Sequence, residues 1–312
     1  MVFAPPSAAL PVRRGLRIAA LPQWWHLLSL DAPTVAALWS WSIARALEVH
    51  LPLSAPLLLA LGTWLVYVAD RILDGLFVSS PNSLRERHFF YARHRGAFLL
   101  ASVPVGLLLA WLIVTRMNPA ARHEDIAVFG VALFYFCVVH VYGEAAERWL
   151  PKELAVGAVF AVATAVPAWS RLPRAAHGAG LVSLPTVLTL MVLLFAMLCW
   201  LNCVAIEKWE RAGDSGPHAG AGKPHWTTLW AQRFFPAVSG GLALTAILGA
   251  AVSWSAGMPR PVPAILLACA MTAMGFAALD RWRDRLGLGA FALRIAADAV
   301  MLTPLLFGFI PR

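Results

Sequence analysis

Long apolar stretches recur along the whole chain, and they constrain its fold more than any other feature. A helix needs about 20 mostly apolar residues to cross a bilayer, and nine windows of the 312-residue sequence approach that length. Lipid offers the backbone no hydrogen-bond partners, so these segments must fold as helices. The sequence therefore predicts an all-α integral membrane bundle of nine transmembrane helices around a central cavity. The predicted spans are 33–49, 53–74, 97–115, 126–143, 154–170, 182–206, 236–255, 261–280 and 288–310.

The composition excludes a water-soluble protein. Hydrophobic residues make up 60% of the chain and charged residues 13%, whereas soluble domains carry about 25% charged residues. The net charge is +9, but the basic residues lie between the apolar windows, which favours a membrane surface and excludes nucleic acid as the partner. The four cysteines lie in apolar stretches without C-x-x-C spacing, so they predict neither a zinc site nor a disulfide framework.

Positive charge is distributed unequally between the two sides of the predicted bundle. With nine spans, 18 of the 25 Lys and Arg residues lie on the side of the N-terminus and 6 on the other side. By the positive-inside rule, the N-terminus is cytoplasmic and the C-terminus lies on the opposite side of the cell's inner (plasma) membrane. Residues 1–32 are interpreted as a cytoplasmic amphipathic lead-in at the membrane surface, and 33–312 as a single transmembrane domain.

Two predicted spans end in acidic residues at the same cytoplasmic mouth. Span 2 ends with Asp70 and Asp74, whose i,i+4 spacing places both carboxylates on one helix face. Span 6 ends with Asn202, Glu207 and Glu210, which also offer oxygen atoms. Mg²⁺ is bound by one or two carboxylates together with substrate phosphates. The two helix ends therefore predict a magnesium site that bridges a diphosphate.

Basic residues accompany both acidic helix ends. Arg85 and Arg87 follow the first, and Lys208 and Arg211 interleave with the second. Cations at these positions are suited to neutralising a diphosphate leaving group as its charge develops. Aromatic residues in the spans, among them Tyr67, offer ring faces that stabilise a cation.

These two acidic segments resemble the UbiA superfamily of intramembrane prenyltransferases, and the resemblance covers most of the chain. Members have nine transmembrane helices, an N-D-x-x-D-x-x-x-D motif closing helix 2 and a second acidic motif closing helix 6. Asp70-Arg71-Ile72-Leu73-Asp74 matches the end of the first motif. Val66 and Tyr67 stand where the family has its leading Asn-Asp pair, so one carboxylate is absent.

The second motif is also only partly matched. Asn202, Glu210 and Arg211 occupy matching positions, Glu207 lies one position late, and the remaining acids are replaced by Cys203 and Ile206.

The resemblance implies Mg²⁺-dependent transfer of a prenyl group from an allylic diphosphate to a lipophilic acceptor within the membrane. The implied catalytic residues are Asp70, Asp74, Glu207 and Glu210, which with Asn202 are also the implied magnesium ligands. The implied substrate contacts are Asn202, Arg71, Arg85, Arg87, Lys208, Arg211 and Tyr67.

The substituted acids leave two alternatives open. One is a non-catalytic membrane protein on the same scaffold that binds an isoprenoid or a partner, and the other is a UbiA-type terpene cyclase.

Two further groups of charged residues have structural interpretations. Arg294 and Asp298 in span 9 are interpreted as an i,i+4 ion pair in which each charge neutralises the other. Asp280-Arg281-Trp282-Arg283-Asp284 repeats the D-R-x-x-D pattern after span 8 and is interpreted as a solvated helix end.

Overall fold

The computed structural model describes residues 20–77, 86–117, 151–172, 183–213 and 225–308, together with a few positions between 119 and 134. Every regular element in these segments is helical. The helices are α1 (Ala20–Leu27), α2 (Asp31–Ala46), α3 (Ser54–Phe77), α4 (Glu86–Arg116), α5 (Lys152–Trp169), α6 (Leu184–Gly213), α7 (Trp226–Arg233), α8 (Phe235–Ser255), α9 (Pro261–Leu286) and α10 (Ala290–Val300), and a 3₁₀ turn follows at Thr303–Phe307.

Seven helical segments in the described residues are long and apolar enough to cross a membrane. They lie in α3, α4, α5, α6, α8, α9, and in α10 with the turn that follows it. The chain is therefore a multi-pass helical membrane protein. The predicted first span corresponds to α2, which has 16 residues and is shorter than a full span. The predicted span 126–143 falls largely outside the described residues, so nine helices around a central cavity stay a prediction.

The helices α6 and α9 form the centre of the described bundle. Of their most apolar windows, 56% and 61% are buried within the protein, against 11% in both α3 and α4. In α4, apolar side chains such as Leu100 and Leu107 are instead exposed, as expected of a surface that faces lipid. The large core cluster accordingly joins residues of α6, such as Phe195 and Leu201, to residues of α9, such as Phe276.

A buried tryptophan connects α2 to this centre. The ring of Trp39 stacks on Phe195 of α6, with 4.3 Å between ring centroids. Its Nε1–H donates to the carbonyl oxygen of Met301 at 2.8 Å, so the indole leaves no unsatisfied donor in an apolar core. These two contacts place α2 against α6 and against Met301, which follows α10.

A tight turn between α1 and α2 folds His26 back towards Asp31. Ser29 in this turn has a φ of 54°, in the left-handed region, and its hydroxyl hydrogen-bonds to the Tyr91 hydroxyl of α4 at 2.8 Å. Trp64 of α3 also donates to the Leu28 carbonyl at 3.0 Å. Two neighbouring helices thus fix the turn.

Candidate functional site

A small cavity with polar and apolar lining residues lies between five helices of the bundle. Its volume is about 100 Å³, enough for several water molecules or a small polar group. Residues of α2, α3, α5, α6 and α10 line it, with Met301 just beyond α10. The polar and charged residues that line the cavity are Asp31, Tyr67, Arg71, Asn202, Arg294 and Asp298.

Arg71 of α3 carries its charge into the protein interior. The residue is only 5% exposed, and its guanidinium lies over the ring of Tyr91, 5.7 Å from the ring centroid. Its Nε and Nη1 atoms are buried and have no hydrogen-bond partner among the described residues. Because a buried charge with unsatisfied donors is costly, these atoms indicate a binding position for an anion.

Three ionisable residues from the two ends of the described chain meet beside the cavity. His26 Nδ1 donates to Asp31 Oδ2 at 2.6 Å, and Asp298 Oδ2 lies 3.5 Å from the same nitrogen. Burial raises the pKa of Asp31, but the hydrogen bond and charge of His26, with the charge of Arg71, outweigh burial and lower it from 3.8 to about 2. Asp31 is therefore a carboxylate at neutral pH.

Asn202 connects this group to α6. Its Nδ2 donates to Asp298 Oδ1 at 3.1 Å, across 96 positions of the sequence. Its carbonyl oxygen, Oδ1, is buried and has no hydrogen-bond partner in the part of the chain that the structure describes. A buried amide oxygen of this kind is a good ligand for a hard cation or an acceptor for a bound hydroxyl group.

The charged residues at the end of α6 form ion pairs. Glu207 accepts from Arg211 one turn later at 2.7 Å, and Glu210 accepts from Arg294 of α10 at 2.8 Å. The guanidinium of Arg294 thus contacts α6. The sequence predicted an ion pair between Arg294 and Asp298 on the same helix, but the salt bridge of Arg294 is with Glu210.

Lys208 donates to Asp280 of α9 at 2.7 Å. Trp209 also donates to Asp280, at 2.9 Å. The Asp280 end of the D-R-x-x-D repeat therefore packs against α6, while Asp284 at its other end has a side chain that is 88% exposed. Arg281, Trp282 and Asp284 are exposed, as predicted for a solvated helix end, whereas Asp280 is not.

The structure brings some of the predicted site residues together at the cavity. Tyr67, Arg71 and Asn202 line it. Asp70, the neighbour of Arg71, is partly buried in α3 but is not among the residues that line the cavity. The cavity lining described here does not include the charged residues that follow Asn202 on α6, which are Glu207, Lys208, Glu210 and Arg211.

Three predicted residues cannot be placed at side-chain level. Asp74 lies within α3 and Arg87 within α4, but their side chains fall outside the described part. Arg85 lies outside the described residues altogether. Their predicted roles stay predictions.

Sequence reasoning missed the group formed by His26, Asp31 and Asp298. Two signals were available in the sequence. Asp298 is an acidic residue within the predicted last span, and His26 and Asp31 lie five positions apart just before the predicted first span. An ionisable residue at membrane depth is a candidate functional residue, but its partner lies at the other end of the chain, and only the fold reveals that contact.

The fold defines a class, the multi-pass helical membrane proteins. No family model matches this sequence, and comparisons with curated proteins and with solved structures find no match. The resemblance to the UbiA superfamily therefore depends on the sequence pattern, chiefly on the two acidic segments.

Proposed function

We propose that this protein binds an isoprenoid diphosphate in the cavity beside Arg71 and transfers its prenyl group to a lipophilic acceptor within the cell's inner membrane, with the N-terminus cytoplasmic. The observation that carries the proposal is the buried guanidinium of Arg71, whose Nε and Nη1 lack partners in the described structure. Arginine suits phosphate because its planar fork of donors can contact two oxygens at once.

The surroundings of Arg71 support a ligand with a polar head and an apolar tail. Polar residues line the cavity together with apolar ones, among them Val35, Phe160, Ile206 and Met301. The cavity lies among helices that cross the membrane, so a prenyl chain can extend between them without entering water.

The chemistry follows from charge. Prenyl transfer breaks the carbon–oxygen bond to the diphosphate, and the electron pair of that bond leaves with the diphosphate oxygen. Arg71 would stabilise this developing negative charge in a site of low dielectric constant. The ring of Tyr67, which also lines the cavity, would face the allylic cation. The acceptor then forms the new bond to carbon and loses a proton.

The residues present fit one magnesium ion better than two. Asn202 Oδ1 is a buried oxygen without a partner among the described residues, and Asp70 and Asp74 lie one turn apart on α3. Glu207 and Glu210 are each bound by an arginine, at 2.7 and 2.8 Å. Asp70, Asp74 and Asn202 would therefore hold the ion, which would supply positive charge to the diphosphate.

Those two ion pairs also favour a second candidate function. If Glu207 and Glu210 serve only to bind arginines, the protein would bind an isoprenoid diphosphate without catalysing a reaction of it. Product formation distinguishes the two candidates. Binding with no prenylated, cyclised or hydrolysed product from a reactive diphosphate would identify the non-catalytic function.

The first experiment measures binding of a non-ionisable prenyl thiodiphosphate to the purified full chain, with and without Mg²⁺. We expect Mg²⁺-dependent binding that Asp74→Asn abolishes while the protein still inserts. Arg71→Gln should weaken binding about 10- to 100-fold, as expected for the loss of charged hydrogen bonds.

Arg281→Gln is the matched control. It removes the same charge from an exposed position at the end of α9, so it should leave the affinity unchanged. Equal loss in Arg71→Gln and Arg281→Gln, or no binding at any prenyl chain length, contradicts the proposal.

A further inference from the structure

Three side chains of types that can ligate a metal lie close together where α1, α2 and α10 meet. One ligand atom each from His26, Asp31 and Asp298 lies within 4.8 Å of the other two. None of these residues belongs to the two acidic segments at the ends of α3 and α6. We propose that they bind a divalent first-row transition metal of the zinc type.

His26 presents one ring nitrogen to two carboxylates at once. Both Asp31 Oδ2, at 2.6 Å, and Asp298 Oδ2, at 3.5 Å, approach Nδ1 of the same imidazole. Nδ1 carries at most one hydrogen, so it can donate well to only one of these carboxylates. A divalent ion in place of that hydrogen would be bound by all three side chains.

The distances are close to those of a metal site. Zinc lies about 2.0–2.2 Å from nitrogen and oxygen ligands, which places neighbouring ligand atoms of a tetrahedron about 3.4 Å apart. The separation of 3.5 Å between His26 and Asp298 already matches. The separation of 2.6 Å between His26 and Asp31 would lengthen by less than about 1 Å when the metal replaces the hydrogen.

Neighbouring groups hold two of the three ligands in place. The Ala32 backbone N–H donates to Asp31 Oδ1 at 2.9 Å, and Asn202 donates to Asp298 Oδ1 at 3.1 Å. Both contacts use the carboxylate oxygen that does not face His26, and leave the other for a metal. Partners of this kind orient the ligands in known metal sites.

The cavity beside these side chains offers a place for a bound ligand. Asp31, Asp298 and Arg71 line the same cavity, and Arg71 is 5% exposed with two guanidinium nitrogens unpartnered among the described residues. A divalent ion would neutralise the two carboxylates and leave the charge of Arg71 available for an anion. A water or a substrate atom would complete the coordination of such a metal, as in sites with three protein ligands.

The ligand types select the class of metal. Imidazole nitrogen suits zinc and other first-row transition ions, whereas Mg²⁺ is usually bound by oxygen ligands and water. This site is therefore distinct in chemistry from the magnesium site of the proposed function, and it can be tested without a prenyl diphosphate.

The test is metal binding to the purified full chain in detergent after treatment with a chelator. Zn²⁺ is titrated by calorimetry and Mg²⁺ is titrated as the comparison. We expect one Zn²⁺ per chain and much weaker binding of Mg²⁺. Co²⁺ provides a spectroscopic probe, because the intensity of its visible absorption reports a tetrahedral site with a nitrogen ligand.

Asp298→Asn replaces a charged ligand with a neutral amide and His26→Gln removes the imidazole nitrogen, so each should weaken Zn²⁺ binding by about a hundredfold or more. Asp280→Asn is the matched control, because the side chains of Asp280 and Asp298 are similarly buried, at 12% and 14% exposed. The Asp280→Asn variant should bind Zn²⁺ like the wild type.

Three results would overturn the proposal. They are no Zn²⁺ or Co²⁺ binding by the wild type, equal affinity for Mg²⁺ and Zn²⁺, and unchanged Zn²⁺ affinity in both ligand variants. Should a variant fail to fold, the wild-type titrations still decide. A wild type that binds prenyl thiodiphosphate but no Zn²⁺ would reject this site and leave the proposed function standing.

Discussion

Glu210 and Arg294 form an ion pair that joins the end of α6 to α10, with 2.8 Å between Oε1 and Nη1. Their side chains are only 12% and 17% exposed, so water does little to weaken the attraction. Removing either partner leaves the other charge in a poorly solvated place. The pair therefore holds α10, which carries Asp298, in its position beside the cavity.

We expect Glu210→Gln and Arg294→Met each to lower the free energy of unfolding, and the double variant to lose less than the sum of the two. The coupling energy should be about 0.5–3 kcal/mol, the range found for side chains in contact. Unfolding by increasing SDS in mixed micelles measures all four proteins of the cycle. Strictly additive losses would show that the pair contributes nothing to stability.

Lys208 offers a test of the diphosphate contacts predicted from sequence. Its Nζ lies 2.7 Å from Asp280 of α9 and 5.0 Å from the ring centroid of Phe235. These contacts make it a link between helices. We expect Lys208→Met to lower thermal stability and to leave prenyl thiodiphosphate affinity within about twofold of the wild type, because the lost contacts are structural. A selective loss of affinity without loss of stability would place Lys208 in the binding site.

The turn that positions His26 depends on a hydrogen bond to a distant helix. The Tyr91 hydroxyl contacts the Ser29 hydroxyl at 2.8 Å, and the Tyr91 ring stacks on Phe98 with 4.1 Å between centroids. Tyr91→Phe keeps the stacking and removes the hydrogen bond, so it should cost about 1 kcal/mol of stability.

The same variant should also weaken Zn²⁺ binding about tenfold, because His26 would be held less firmly. Calorimetry on the folded variant measures this effect. Wild-type Zn²⁺ affinity in Tyr91→Phe would show that the turn keeps its geometry without this bond.

Much of the fold could be predicted because membrane helices leave a strong local pattern. The apolar windows anticipate the seven long helices that the structure describes. The first window was predicted as a span, but α2 has only 16 residues, since the chain turns at Leu47 and Glu48, the latter with a φ of 56°. Apolar content alone does not reveal where such a turn ends a helix.

The candidate site was less predictable, because its contacts join distant parts of the sequence. Spacing along one helix predicted that Arg294 would satisfy Asp298, yet Arg294 contacts Glu210 and Asp298 contacts Asn202, both across helices. Three residues singled out from the sequence, Tyr67, Arg71 and Asn202, do line the cavity. These residues lie in or beside motifs within single helices, which can be read from a short stretch of sequence. The group of His26, Asp31 and Asp298 joins distant parts of the chain and cannot be read in that way.

Gly157 provides the last test, because it sets how closely α5 approaches α6 beside the cavity. A Cβ atom at this position would lie 2.9 Å from the Trp200 nitrogen and 3.0 Å from the Ala196 carbonyl oxygen, both backbone atoms that cannot turn aside. Small residues allow such close packing between membrane helices. We expect Gly157→Ala to cost about 1–3 kcal/mol, as overpacking does elsewhere.

Gly240→Ala is the control, since a Cβ there meets nothing within 4 Å. It should leave the unfolding midpoint unchanged or raise it slightly, because alanine favours a helix by up to about 1 kcal/mol over glycine. Thermal unfolding of both variants in the same detergent makes the comparison. Because Gly157 also lines the cavity, Gly157→Ala should in addition weaken thiodiphosphate binding. Equal stability of the two alanine variants would show that α5 and α6 are not packed as closely as described.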